Sequence, residues 1–210
     1  MEMPGGLPMA DLGEDRDGLM LDRLHVPLGP VLPDWPPGLV VRVVLQGDVI
    51  QEAEVEVLDA PAASPFWLEP GWAVVRELDA LARFLSVAGW ADEAARARRI
   101  RDDLMAGMPV EQKAPSVMTL VGRVRRSRTL RWLVRRIGAG DVDVAVRLER
   151  RLAAVQAAVT GPRAPDVPRA AVDDLPDLLV GTEFAAARLI VAVLDPDTEP
   201  AEIREEVRRG

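Results

Sequence analysis

The sequence predicts an α+β fold in which a small N-terminal antiparallel β hairpin or three-stranded sheet packs on a helical bundle. Apolar residues alternate with other residues between positions 39 and 57, as in strands, and recur at helical spacing from position 74 onwards. With 49% hydrophobic and 29% charged residues, the 210-residue chain has the composition of a folded, helix-rich protein. A chain of this length can build one sizeable core.

The small β unit is predicted over residues 23–68, after a flexible N-terminal tail at residues 1–22. A β-branched run at positions 39–45 predicts a strand that is buried on at least one face. Gly47-Asp48 follows as a turn pair of tight hairpins, and the next strand alternates apolar residues with glutamates. Because two strands alone are marginally stable in water, residues 24–28 are predicted to add a third.

The helical bundle is predicted over residues 69–194, and a short charged C-terminal helix over residues 195–210. Apolar spacing, glycine stops and candidate caps divide the bundle into five helices joined by turns and by a proline-rich connector at 161–174. The predicted helices span about residues 70–89, 92–105, 115–137, 141–159 and 176–194.

Composition excludes several kinds of active site. The chain has no cysteine, which excludes disulfides, thiolate zinc sites, iron–sulfur clusters and a cysteine nucleophile, and it indicates a reducing, cytoplasmic location. His25 is the only histidine and is interpreted as a structural residue on a strand, with catalysis as the alternative. Asp195 and Asp197 could form a carboxylate pair, but capping of a helix end explains them equally well. We therefore predict no catalytic, cofactor-binding or metal-binding residue and no cofactor.

No apolar run is long enough to span a bilayer, and residues 1–18 lack the pattern of a secretory signal. The sequence therefore predicts no transmembrane segment, with peripheral membrane association only through partners.

A basic segment is the main electrostatic anomaly of a chain whose net charge is −8. No acid lies between Glu111 and Asp141, and the apolar face of the predicted helix changes side near Ser127-Arg128. Arg128 and Arg131 continue the first apolar face, so they are predicted to face a partner or a cleft. The alternative is that the helix breaks or crosses neighbouring elements and that its arginines pair with acids of residues 48–79. Nucleic-acid binding is a third interpretation, which the net charge and the scarcity of aromatic residues disfavour. The arginines of the segment are Arg123, Arg125, Arg126, Arg128, Arg131, Arg135 and Arg136.

Two short patches resemble one redox family. The first is Gly29-Pro30-Val31-Leu32-Pro33, followed by the strand at 39–45 and by Gly47-Asp48, and the second is Arg96-Ala97 with Ile100-Arg101. Together they resemble the N-terminal β hairpin and the following arginine-rich helix of one large subunit. It is shared by nickel–iron hydrogenases and by respiratory complex I, where it is the 49-kilodalton, quinone-reducing subunit. The resemblance covers roughly residues 29–101 and implies a β hairpin followed by a helical bundle.

The same resemblance implies that catalysis has been lost. The hydrogenases hold their metal with paired cysteines, which this chain lacks. In the complex I branch a hairpin histidine approaches the quinone, and Pro36 occupies the matching position here. A tyrosine partner is expected, but the chain has no tyrosine, and the family's His-Arg-Gly sequence is absent around residues 60–65.

The resemblance and the basic segment together predict a catalytically degenerate accessory or assembly component of a hydrogenase-like or complex I-like redox complex. Its partners would be protein subunits of that complex. One alternative is an oxidoreductase subunit whose active site is completed by partner chains, and the other is a small regulatory or nucleic-acid-binding module. Trp35 lies in a proline-rich loop, where a tryptophan can either seal a small domain against its helices or bind a partner. The candidate partner-binding residues are Trp35, Arg96, Arg101, Arg123, Arg128 and Arg131.

Overall fold

In the computed structural model the described residues are 11–14, 18–58, 72–161 and 167–198. A four-stranded antiparallel sheet precedes the helices, which confirms the predicted α+β class. The order of the strands in the sheet is the same as their order in the chain, so strands that are neighbours in the sheet are also consecutive in the sequence. They are β1 (Asp11–Glu14), β2 (Met20–Leu28), β3 (Leu39–Gln46) and β4 (Val49–Val57).

The sheet has one strand more than predicted. The expected third strand is β2, which is longer than residues 24–28. The additional strand β1 lies within residues 1–22, so the prediction of a flexible tail is wrong for these residues: Leu12 pairs with Asp22 across β1 and β2. A strand of four residues is too short to show alternation, and backbone pairing with β2 defines it instead.

Helices make up most of the rest of the described chain. A two-stranded hairpin, β5 (Gly138–Ala139) and β6 (Val142–Asp143), interrupts them, and one 3₁₀ turn (Val172–Asp174) precedes α6. The helices are α1 (Ala73–Val87), α2 (Ala91–Met105), α3 (Val110–Arg126), α4 (Arg128–Val134), α5 (Val144–Thr160), α6 (Leu175–Leu179) and α7 (Phe184–Leu194).

Two predicted single helices are each divided in two. The helix expected at 115–137 breaks at Ser127, whose extended backbone (ψ 111°) ends α3 and begins α4. The helix expected at 176–194 is interrupted because the turn before α7 pairs with the β3–β4 hairpin. Ile50 N donates to Thr182 O at 2.9 Å and Gly181 N donates to Ile50 O at 2.8 Å. These bonds divide the helix and fasten the sheet to the helical body.

Other boundaries differ less. Helix α5 begins after Asp143, whose side chain accepts a hydrogen bond from Val146 N, and not after Asp141 as predicted. The intervening residues form the β5–β6 hairpin. Residues 195–198 are not helical, and the rest of the predicted C-terminal helix lies outside the described residues.

One hydrophobic core joins the sheet to the helices. The inward side chains of β3, including Leu39 and Val41, belong to the same buried cluster as Leu78 and Leu81 of α1 and Ile190 of α7. None of the described helices is long and apolar enough to cross a membrane. The core therefore holds the hairpin on the helices, as the sequence predicts.

Candidate partner-binding surface

Helix α4 is fixed at its start and along one face. The Ser127 hydroxyl accepts a hydrogen bond from Leu130 N at 3.2 Å and so caps the helix N-terminus. Leu130 and Val134 are buried, and these positions lie on one face of a helix. With that face in the core, the opposite face of α4 must lie at the surface.

The exposed face carries one tryptophan between arginines. Arg128, Arg131, Trp132 and Arg135 have the i, i+3, i+4 and i+7 spacing of a single helix face, and they line a shallow groove of about 260 Å³. Trp132 is 71% exposed. We call these four residues the α4 surface.

The positive charge of the α4 surface is not neutralised within the described part of the chain. No described carboxylate lies within ion-pair distance of Arg128, Arg131 or Arg135; Arg131 Nε donates weakly to Ser127 O at 3.4 Å. The guanidinium groups therefore keep most of their donors for another molecule.

The first half of the basic segment is neutralised. Arg123 Nε donates to Glu93 Oε1 at 2.6 Å, and Arg125 Nε donates to Glu149 Oε1 at 2.8 Å. The alternative in which the arginines pair with acids of residues 48–79 is thus wrong about the partners. Helix α3 lies between α2 and α5, and these helices supply the acids.

An exposed tryptophan flanked by arginines is suited to binding a protein. Tryptophan and arginine are enriched at the energetic centres of protein interfaces. The planar guanidinium binds a carboxylate through two parallel hydrogen bonds, and it also stacks on aromatic rings. The α4 surface can therefore bind a partner that offers carboxylates around an apolar pocket.

Trp35, a predicted partner-binding residue, lies in the core instead. Its side chain is buried, and its Nε1 donates to Leu39 O at 3.0 Å. Gly29 provides the space: a Cβ there would lie 2.9 Å from the Trp35 ring and 2.1 Å from Leu39 O. Trp35 thus seals the start of β3 and is not available to a partner.

The remaining predicted residues are divided among three locations. Arg101 pairs with Asp79 and Asp102. Burial lowers the pKa of its guanidinium, but the hydrogen bonds and the Coulomb attraction to these two carboxylates together outweigh burial, so the pKa is raised. Arg96 Nε lies 3.2 Å from Glu93 Oε2, beside Arg123. Of the six predicted residues, only Arg128 and Arg131 belong to the α4 surface. Trp132 and Arg135, which complete that surface, are on the same face by helical spacing.

A second group of charges lies inside the helical body. Arg151 of α5 has no exposed surface; its Nη1 donates to Glu77 Oε2 at 2.8 Å and its Nη2 donates to Val193 O at 3.1 Å. Asp195, directly after α7, accepts hydrogen bonds from Arg83 Nη2 at 2.7 Å and from Arg169 Nε at 3.1 Å. Three arginines and three carboxylates form this interior charge cluster: Glu77, Asp79, Arg83, Arg151, Arg169 and Asp195.

The cluster keeps its charges through mutual attraction. Burial by itself raises the pKa of Asp195, but the nearby Arg83, Arg151 and Arg169 outweigh burial, so the net pKa lies below the usual value near 3.8. For Arg151 the balance is reversed, because burial outweighs Glu77 and Asp195 and lowers the pKa of the guanidinium. The buried charges of the cluster are thus paired with opposite charges, as buried charges require.

The interior charge cluster joins distant elements and was not predicted. The sequence indicates a carboxylate pair or a helix cap for Asp195, whereas its carboxylate binds arginines of α1 and of the segment before the 3₁₀ turn. The sequence does contain an indication of the cluster, because Arg151 lies in the apolar stripe of α5 that Leu148, Leu152 and Val155 form. An arginine at such a position requires a buried carboxylate.

Comparison with known proteins gives no match to a family model, to a curated protein sequence or to a solved structure. Within residues 11–14, 18–58, 72–161 and 167–198, no group of three or more acidic or histidine side chains is placed to hold a metal ion.

Proposed function

We propose that this chain is a catalytically degenerate accessory or assembly component of a hydrogenase-like or complex I-like redox complex, and that it binds an acidic protein subunit through the α4 surface. One observation carries the binding site: the 71%-exposed Trp132 lies between arginines that have no carboxylate partner among the described residues. In a protein of net charge −8, such a surface attracts an oppositely charged partner selectively.

The redox context is supported by the order of elements. The hairpin β3–β4, helix α1 and the arginine-bearing helix α2 follow one another as the resemblance over residues 29–101 implies. In addition, the hairpin docks on the helical body through the α6–α7 turn. An accessory or assembly role requires no catalytic residue in this chain, which is compatible with the missing cysteines and tyrosine.

A protein fits the α4 surface better than a nucleic acid. One tryptophan offers a single stacking platform, whereas single-stranded nucleic acids are bound by series of aromatic rings in a positive groove. The three arginines of the α4 surface lie on one short helix and its C-terminal end, in a chain of net negative charge. The small size of the α4 surface therefore matches the energetic hot spot of a protein–protein interface.

The test is affinity purification of the native protein from gently solubilised cells, with mass spectrometry of the co-purifying proteins. We expect subunits of one redox complex to be enriched, and we expect Trp132→Ala and Arg131→Glu to lose them. Met118→Ala, which removes another exposed hydrophobic side chain outside the α4 surface, is the matched control and should retain them.

Recovery of the chain alone would contradict the proposed function. Recovery of nucleic acid that is lost at high salt would favour the regulatory alternative. Redox subunits that persist in both α4 variants would retain the accessory role but exclude the α4 surface as its binding site.

A further inference from the structure

A cleft between α2 and α3 has the composition of an oxyanion site. It encloses about 370 Å³, with Arg96 and Arg99 on one wall and Lys113, Ser116 and Thr119 on the other. This volume lies within the usual range of small-ligand pockets. Concave walls of low dielectric constant concentrate the field of the charges that line them.

The cleft carries excess positive charge. Among the described residues that line it, Asp103 is the only acid, and Lys113 pairs with that carboxylate. Arg96 uses its Nε to bind the buried Glu93, which is also bound by Arg123 from outside the cleft. Two guanidinium groups therefore remain to hold a ligand, in a protein whose overall charge is negative.

The donors of the cleft include one arginine that the described structure leaves uncommitted. Arg99 is exposed and has no ion pair or side-chain hydrogen bond among the described residues. Ser116 likewise has a hydroxyl without a described protein partner, whereas the Thr119 hydroxyl donates to Pro115 O at 2.8 Å. Because guanidinium groups offer several donors and no acceptor, the cleft favours an anion that is rich in acceptor oxygens.

We infer that the α2–α3 cleft binds a phosphoryl group, with Arg99 and Arg96 as the charged ligands and Ser116 as a hydroxyl donor. Guanidinium groups match the geometry of phosphate oxygens and form short, charge-assisted hydrogen bonds with them. The one described carboxylate that lines the cleft is already paired with Lys113, so a divalent cation is not the preferred ligand. This inference is independent of the α4 surface and of the proposed redox context.

The test is a titration of the ¹⁵N-labelled full chain with inorganic phosphate, followed by two-dimensional NMR, against sodium chloride at the same ionic strength. We expect saturable shifts for backbone amides of α2 and α3 around the cleft, with phosphate and not with chloride. Arg99→Ala should weaken binding about tenfold, the usual effect of losing one charge-assisted hydrogen-bonding group.

Arg150→Ala is the matched control, because it removes an exposed arginine of α5 outside the cleft. It should leave phosphate affinity unchanged, and the dispersed spectrum of each variant will show that it is folded. Equal shifts with phosphate and chloride, or equal affinity of Arg99→Ala and Arg150→Ala, would overturn the inference.

A second titration uses a sugar phosphate to distinguish the two sources of a phosphoryl group. If the sugar phosphate binds more tightly than inorganic phosphate, the rest of the cleft accommodates the organic part of a phosphorylated ligand. If it binds more weakly, the natural ligand is free phosphate. Both results support a phosphoryl site, whereas a sugar phosphate that competes with inorganic phosphate without any dependence on Arg99 contradicts it.

Discussion

Arginines have opposite roles in the interior charge cluster and on the α4 surface. Arg151 is fully buried, and each of its charged contacts is to a carboxylate of α1 or to Asp195 after α7. Arg128, Arg131 and Arg135 line an open groove around Trp132 with no carboxylate partner in the described chain. In the interior charge cluster the arginines form ion pairs within the fold, whereas the arginines of the α4 surface remain available to bind another molecule.

The difference follows from the elements that surround each helix. Helix α5 lies against α1, α3 and α7, so an arginine on its inner face meets acids of neighbouring elements. Helix α4 is short and is buried only along the face of Leu130 and Val134, so its other side faces solvent. Substitutions in the first region should therefore change stability, and those in the second should change binding.

The largest expected effect is on stability, from Arg151→Ala. It removes the fully buried partner of Glu77 and Asp195, leaves Glu77 paired with Arg169, and opens a cavity; we expect the free energy of unfolding to fall by about 3–5 kcal/mol, measured by urea denaturation. Arg151→Met keeps most of the side-chain volume and so separates the loss of charge from the cavity. Arg150→Ala, the exposed neighbour on the same helix, should change stability by no more than about 0.5 kcal/mol. Similar effects of Arg150→Ala and Arg151→Ala would refute the structural role of the cluster.

The next largest expected effect is on the pH dependence of stability, to which Asp195 contributes. Because its folded-state pKa lies below the usual value near 3.8, the charged carboxylate stabilises the fold above that pH. This contribution is lost as the pH falls through the folded-state pKa. Asp195→Asn should reduce the free energy of unfolding at neutral pH by about 2–3 kcal/mol. The variant should also lose less stability than the native chain on acidification to about pH 3.

Asparagine is chosen because it tolerates the left-handed backbone of Asp195 (φ 49°) as well as aspartate does. The exposed Asp22→Asn is the matched control, since it removes the same charge from β2. Parallel pH profiles of the native chain and Asp195→Asn would contradict the assignment.

On the α4 surface the expected effect is on affinity. Once a partner is identified, Trp132→Ala should weaken its binding by at least about thirtyfold, the usual effect of losing an interface hot spot. The free energy of unfolding should stay within about 0.5 kcal/mol of the native value, because the side chain is mostly exposed. Calorimetric titration and urea denaturation of the same samples measure both quantities. A large loss of stability would place Trp132 among the structural residues instead.

The smallest effect tests how α4 is positioned. Ser127→Ala removes the N-cap of α4 and should lower the free energy of unfolding by about 1 kcal/mol. Ser127→Asp keeps a side-chain acceptor at the helix N-terminus and should restore that stability. If the cap orients the α4 surface, the alanine variant will also bind the partner more weakly and the aspartate variant will not. Equal stability of both variants would show that burial of Leu130 and Val134 alone fixes the helix.

The candidate surface could be predicted from the sequence only in part. The change of apolar face near Ser127-Arg128 was visible because helical spacing is a local property, and the structure confirms the two faces: Val117, Leu120, Val121 and Val124 are buried on α3, and Leu130 and Val134 on α4. The helix break itself was not resolved, since a shift of face fits a bent helix equally well. The sequence could not decide between a core and an interface position for Trp35, because a tryptophan near prolines has the same sequence signal in both; the structure places it in the core.

What the sequence by itself determined was local: the strand alternation of β3 and β4, the turn between them, the apolar stripes of the helices and the excess of arginine in one segment. What only the tertiary structure decided was which charges and backbone groups meet. Glu77 and Arg151 are 74 residues apart, and Ile50 pairs with Thr182 across the sheet and the helical body. Periodicity follows from bond geometry within a few residues, whereas pairing over such distances depends on how every element is packed. The same arginine-rich composition therefore gives a buried cluster in one place and an open binding surface in another.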